Sequence, residues 1–195
     1  MSDWQPKPKV YTLYGFAEGR AIGRVLRREL REAGYINTRF KSRADVFIAH
    51  SGGCLLVPKK HNAKLVILVD PPYWPGKHVA KSLIQKIKRD YGHHKEVKNM
   101  KRLSAKTGHN GRYFLTTAPR TVRMYKSHKI LGFPEPSHGQ KIALIRNKHD
   151  PFCSPDIANI LPQAQHYEFH EFPGEHDDMW HYPKKYIELI NSVLK

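Results

Sequence analysis

Cysteine, acidic residues and long apolar runs are what this 195-residue chain has little of. With Cys54 and Cys153 alone, a disulfide scaffold is excluded, and their separation excludes a paired Cys-x-x-Cys zinc site. Both are expected as reduced thiols. The longest apolar runs, Val46–Ala49 and Leu65–Val69, stop far short of the roughly 20 residues that cross a bilayer. The opening Met1-Ser-Asp-Trp-Gln-Pro has no basic-then-apolar signal plan, so a cytoplasmic protein without a transmembrane segment is expected. Only 17 Asp and Glu stand against 34 Lys and Arg, a net charge of +17. Such a surface attracts phosphates and keeps nucleic acid open as a partner. The excess is local, because Lys77–Lys129 holds fifteen Lys or Arg against Asp90 and Glu96.

What is present suffices for a folded core. Hydrophobic residues make up 39% and aromatics 11%, and the 13 Gly and 14 Pro are scattered, which argues against wholesale disorder. A length near the roughly 150 residues of a typical domain predicts one domain over 1–195.

Lys9-Val-Tyr-Thr-Leu-Tyr-Gly15 reads as a strand closed by glycine. From Arg20, the residues Ile22, Val25, Leu26, Leu30 and Ala33 recur at helical spacing up to Gly34. Ile36–Phe40 is a candidate short strand. Asp45-Val-Phe-Ile-Ala49, Lys64-Leu-Val-Ile-Leu-Val-Asp70 and Lys141-Ile-Ala-Leu-Ile-Arg146 are almost continuously apolar, as strands buried on both faces of a parallel sheet must be. His166–Phe172 alternates, and the tail Pro183–Leu194 is helical in period. The expected fold class is α/β, a mostly parallel sheet of about six strands with helices on both faces. Val79–Tyr91 is helix-like, and the basic stretch within 71–140 is expected to be a lid-like insertion over the carboxyl edge of the sheet.

Ligands of open α/β sheets bind beyond the carboxyl ends of the strands. Ala49-His50-Ser51-Gly52-Gly53 follows a buried strand and has the small residues two before and two after serine that a nucleophile elbow requires. Ser51 would project from the turn, leaving the Gly52 amide free to face an oxyanion. Serine needs a base and a group to orient it. Asp150 follows the strand 141–146, and His176 stands 26 residues later in Pro173-Gly-Glu-His-Asp177.

In these segments the chain resembles the α/β-hydrolase superfamily, and within it the small single-domain intracellular serine hydrolases. The likeness is carried by Ala49-His-Ser-Gly-Gly53, Asn147-Lys-His-Asp-Pro151, Pro173-Gly-Glu-His176 and Tyr14-Gly15-Phe16. It implies a catalytic triad of Ser51 as nucleophile, Asp150 as acid and His176 as base, with the backbone amides of Phe16 and Gly52 forming the oxyanion hole. Ala49 stands where the family usually has glycine, and Tyr14 where it usually has histidine. The chain also begins at what would be the family's third strand, so a sheet shortened at its N-terminus is expected.

Several alternatives share these segments. Asp70 also ends a buried strand and competes with Asp150, as does Asp156, whose place after Pro155 suits a helix cap. His166, His170 and His181 compete with His176. The cluster Glu175-His176-Asp177-Asp178 with His181 offers metal-type donors at imperfect spacing. Gly15, Gly19 and Gly23 lack the spacing of a nucleotide loop. Tyr73, Trp74, Phe152 and Trp180 fall in segments at the same edge and are candidates to line a substrate pocket.

The expected function is therefore a serine esterase or thioesterase working through an acyl-enzyme, with no metal or organic cofactor. Its partner would be a small ester or thioester, drawn in by the basic insertion where it is anionic. The alternative is a hydrolase-like fold whose triad is vestigial and which binds nucleic acid or another polyanion through residues 77–129.

Overall fold

The computed structural model of the chain describes residues 7–15, 22–58, 61–72, 133–134, 136, 139–161 and 164–194. In chain order these form β1 (Lys9–Leu13), α1 (Arg24–Glu32), β2 (Ile36–Asn37), β3 (Val46–His50), β4 (Leu65–Val69), β5 (Lys141–Asn147), α2 (Ile157–Ile160), β6 (Glu168–Phe172), α3 (Asp178–His181) and α4 (Lys184–Leu194). The six strands make one sheet in the order β2-β1-β3-β4-β5-β6, and every neighbouring pair is parallel.

Successive side chains of a strand point to opposite faces, and here both faces are dry. Val46 and Ile48, Leu65, Ile67 and Val69, and Ala143 and Ile145 pack with Leu26 and Leu30 of α1 and with Tyr186, Ile187, Ile190 and Val193 of α4. The intervening Phe47, Ala49, Val66, Leu68, Ile142 and Leu144 face Cys54, Cys153, Ile157 of α2, Leu161 and Tyr167. This two-sided burial explains the continuous apolar runs of β3, β4 and β5. Phe133 joins the second core, and the carbonyl of Pro134 accepts the Tyr167 hydroxyl at 2.5 Å.

Local chemistry moves two strand boundaries from their sequence expectations and closes α1 at the expected glycine. β2 ends at Asn37 rather than Phe40, because Thr38 Oγ1 accepts the Phe40 amide at 3.1 Å and the chain enters a 3₁₀ turn at Lys41–Arg43. Phe40 is left 58% exposed. β6 begins at Glu168, after a 3₁₀ turn over Ala164–His166. α1 closes where Gly34 takes a φ of +92°, the left-handed stop that glycine adopts at little cost. The helix expected at Val79–Tyr91 and the basic stretch 77–129 lie outside the described residues. Among the described residues, no helix is long and apolar enough to cross a membrane.

Leu144 lies at the centre of the sheet with no exposed surface. Leu144→Ala is expected to destabilise the fold by about 2–5 kcal/mol. Urea unfolding would read this as a lower midpoint at an unchanged slope.

Candidate active site

The polar residues begin where β3 stops. Ala49 pairs in register with Leu13 of β1, His50 is the last strand residue, and Ser51 opens a 3₁₀ helix over Ser51–Leu56. A tighter 3₁₀ helix stands where an α-helix is the usual sequel to such a turn. Ser51 has a φ of +51° and is 8% exposed. For a residue with a Cβ this left-handed conformation costs roughly 1–2 kcal/mol. The next turn residue but one must be glycine, since a Cβ on Gly53 would lie 2.5 Å from the Leu13 carbonyl oxygen and 2.8 Å from that of Tyr14. Gly52 follows Ser51 at the start of the same helix, whereas Phe16 lies outside the described residues.

Beyond β5 the chain turns sharply, with the Asp150 amide donating to the Asn147 carbonyl at 3.0 Å. One carboxylate oxygen of Asp150 accepts the amides of Phe152 at 2.5 Å and Cys153 at 3.0 Å. The other meets His176 Nδ1 at 2.5 Å, and both residues are buried. The amides of Lys148 and His149 donate to the carbonyls of Phe172 and Gly174. These bonds stitch the turn bearing Asp150 to the segment after β6 that bears His176. Burial works to raise the Asp150 carboxyl, but the His176 charge and hydrogen bond and the two amides outweigh it and hold it below the usual carboxylate range. An ionised carboxylate only accepts, so the imidazole proton sits on Nδ1 and leaves Nε2 as the basic nitrogen.

His50 ties the two halves together. Its Nε2 donates to the His176 carbonyl at 2.6 Å, and the two rings are 4.7 Å apart. Ser51 is the next residue in the chain, so the end of β3 that carries it is tied through His50 to the segment that carries His176. Phe152 sets its ring edge-on to His176 at 4.9 Å. Trp180 sits in α3 rather than in a loop, 1% exposed, with its ring 5.1 Å from His50 and stacked on Tyr14 at 5.4 Å. Tyr73 and Trp74 lie outside the described residues. The linking role of His50 had one sequence signal, a polar residue closing an otherwise apolar buried strand.

Asp70 follows β4 with a φ of +48° and no exposed surface. Its two oxygens accept the backbone amide of Asn147 at 2.6 Å and the Asn147 side-chain amide at 2.5 Å. Burial and the Asp150 charge push its carboxyl up to about 7, against the pull of His176, His50 and the Asn147 amide. His50, Asp70 and His176 form a buried trio whose potential ligand atoms lie within 4.8 Å of one another. Hydrogen bonds to Asn147, Asp150 and the His176 carbonyl link them into one network. His166 and His181 are exposed, His170 stands in β6 beside Glu168, and Asp156 takes the position before α2. Cys54 and Cys153 are free and buried, and burial pushes the Cys153 thiol far up, which suits packing and not nucleophilic chemistry.

Two outcomes follow from this geometry. Gly53→Ala is expected to destabilise the protein by about 1–3 kcal/mol, read by urea unfolding, because backbone and not a flexible side chain blocks the new methyl group. The raised Asp70 carboxyl makes the folded state bind more protons than the unfolded chain between its ordinary value of 3.8 and about 7. Its contribution to stability is therefore fully present below that window and is lost as the pH rises through it. Asp150 acts in the opposite direction at lower pH. In Asp70→Asn the unfolding free energy is expected to fall less steeply between pH 4 and pH 7 than in the wild type.

No protein-family model matches the chain, and no curated protein matches it. Solved structures do. The chain superposes on ClbQ from the colibactin NRPS/PKS pathway with a TM-score of 0.62 at 11% identity, over 97% of both chains. The enol-lactonase of Burkholderia xenovorans LB400 gives 0.59 at 13% identity, over 99% of this chain and 93% of that one. The esterase Pf2001 of Pyrococcus furiosus gives 0.54 at 11% identity, over 96% and 82%. An all-parallel sheet of six strands flanked by helices, superposing on these enzymes along nearly its whole length, has the α/β-hydrolase fold.

Proposed function

We propose that the protein is a serine hydrolase of carboxylic esters or thioesters, with Ser51 as nucleophile, His176 as base and Asp150 as the group that orients it. The observation that carries this is the buried 2.5 Å hydrogen bond from His176 Nδ1 to Asp150. It holds the imidazole by Nδ1 and leaves Nε2 to serve as base for Ser51, which stands at a strand end with a φ of +51°. Support also comes from the fold, which an esterase and an enol-lactonase share at this size.

The chemistry divides into two transfers. His176 Nε2 takes the Ser51 proton as Oγ attacks the acyl carbon, and the same proton goes to the departing alcohol or thiol. The Gly52 amide, with that of Phe16, holds the negative oxygen of each tetrahedral intermediate. Water then attacks the acyl carbon, giving its proton to His176 Nε2; the bond to Ser51 Oγ breaks, His176 returns the proton to Oγ, and the carboxylic acid is released. Every proton acceptor and the nucleophile are side chains, so the cycle requires no cofactor. Phe152, with Tyr73 and Trp74, would border the acyl group, while Trp180 backs His50 and keeps that side of the site dry. The basic stretch 77–129 favours an anionic substrate by long-range attraction.

A fluorophosphonate probe is expected to form one adduct, mapped by peptide mass analysis to Ser51. Ser51→Ala is expected to abolish both the adduct and hydrolysis of p-nitrophenyl esters, while its circular dichroism stays that of the wild type. Turnover that survives this substitution would overturn the assignment.

A further inference from the structure

Among the described residues, Asp70 is the one buried carboxylate that the proposed reaction leaves without a task. Polar groups are expensive to bury without partners, and among the described residues its carboxylate finds its hydrogen-bond donors on Asn147. Asn147 offers it two donors, the backbone amide at 2.6 Å and the side-chain amide at 2.5 Å. A carboxylate supplies the two acceptors this arrangement needs. Asp70 also donates its own backbone amide to the Ile145 carbonyl at 2.9 Å, so it is anchored to β5 at Ile145 as well as at Asn147.

Asn147 is in turn the point from which the turn bearing Asp150 is hung. Its carbonyl accepts the Asp150 amide at 3.0 Å. Its side-chain oxygen accepts the Tyr186 hydroxyl of α4 at 2.9 Å, so every polar atom of that side chain is engaged. A continuous path of hydrogen bonds thus runs from Asp70 through Asn147 and the turn to Asp150 and His176.

We propose that Asp70 is a positioning residue for the reaction: by clamping Asn147 it fixes the turn that aims the Asp150 carboxylate at His176. This rests on the roles given above to Asp150 and His176. The clamp is electrostatic as well as steric. Around Asp70 stand Asp150 from the turn after β5, His176 from the segment after β6 and His50 from the end of β3. Its charge is also felt by Cys153 and by Tyr186 of α4, which further senses Asp178 at the start of α3.

The test exchanges the two partners. Asn147→Asp sets a carboxylate against Asp70 and is expected to lower kcat for a p-nitrophenyl ester roughly 10-fold to 100-fold while KM changes little, as misplacement of a reacting group does. Adding Asp70→Asn restores a donor facing an acceptor and is expected to recover most of that loss, so the double variant exceeds the single. Should Asn147→Asp fail to fold, Asp70→Asn alone, which faces the two Asn147 donors with a single acceptor, is expected to lower kcat for the same ester several-fold while KM changes little, and to displace or broaden the His176 Nδ1 proton. The His176 Nδ1 proton, observed by NMR in the absence of any substrate, is expected to be displaced or broadened in Asn147→Asp and to return in the double variant.

Independent, multiplying losses in folded variants, with that proton unmoved, would overturn the clamp while leaving the triad in place. An unlabelled wild-type Ser51 would instead overturn the serine-hydrolase reading, and the proton signal would still decide the clamp. A kcat and an Nδ1 proton that both stay at their wild-type values in folded Asp70→Asn would likewise overturn the clamp.

Discussion

Water is excluded from both faces of the central strands, and that constraint decides where polar chemistry can stand. β3, β4 and β5 are covered by helices on one side and by the segments around Cys54 and Cys153 on the other. Among the described residues, the buried polar ones are His50, Ser51, Asp70, Arg146, Asn147, Asp150, Ser154 and His176. All belong to the carboxyl ends of β3, β4 and β5 or to the segments that follow β5 and β6. A parallel sheet lines up these ends on a single edge, so four separate stretches of chain deliver their polar groups to one place. Once there, they must satisfy one another, because unpaired polar groups are costly out of water.

How they do so separates two carboxylates of the same kind. Asp150 receives two backbone amides and an imidazole, and its ionised form is favoured despite burial. Asp70 receives the donors of Asn147 but also the repulsion of Asp150, and its neutral form gains ground. Environments that push paired acids apart are how a single site assigns different duties to identical groups. The difference lies in which backbone amides each loop presents, and so in the turn after β5.

Much of this architecture is legible in the residues. Leu65–Val69 and Ile142–Ile145 declare two-sided burial by having no polar alternation, and the periodicity from Ile22 to Ala33 declares α1. Ala49 and Gly53 mark a turn too tight for larger groups, which the approach of the Leu13 carbonyl explains. The ends of β2 and β6 are less legible, since a single hydroxyl at Thr38 or one 3₁₀ turn before Glu168 decides them. The hydrogen bonds of the site depend on contacts between residues far apart in sequence. Asp70 and Asn147 are 77 positions apart, and no local pattern announces that Asp70 meets Asn147 while His176 meets Asp150. Trp180 looked like a pocket residue because its segment ends at the right edge, but α3 turns its ring inward against His50.

Ser51 and Asp70 share one further property: each takes a positive φ at the end of neighbouring strands β3 and β4. Both turns hold a side chain in backbone geometry that glycine would adopt without strain. Glycine at either place would ease the backbone and erase the functional group at the same time. In the proposed reaction, relaxing these two corners would remove the nucleophile at one and a positioning group at the other. Selection for heat resistance alone would therefore press against the very positions that give the carboxyl edge its character.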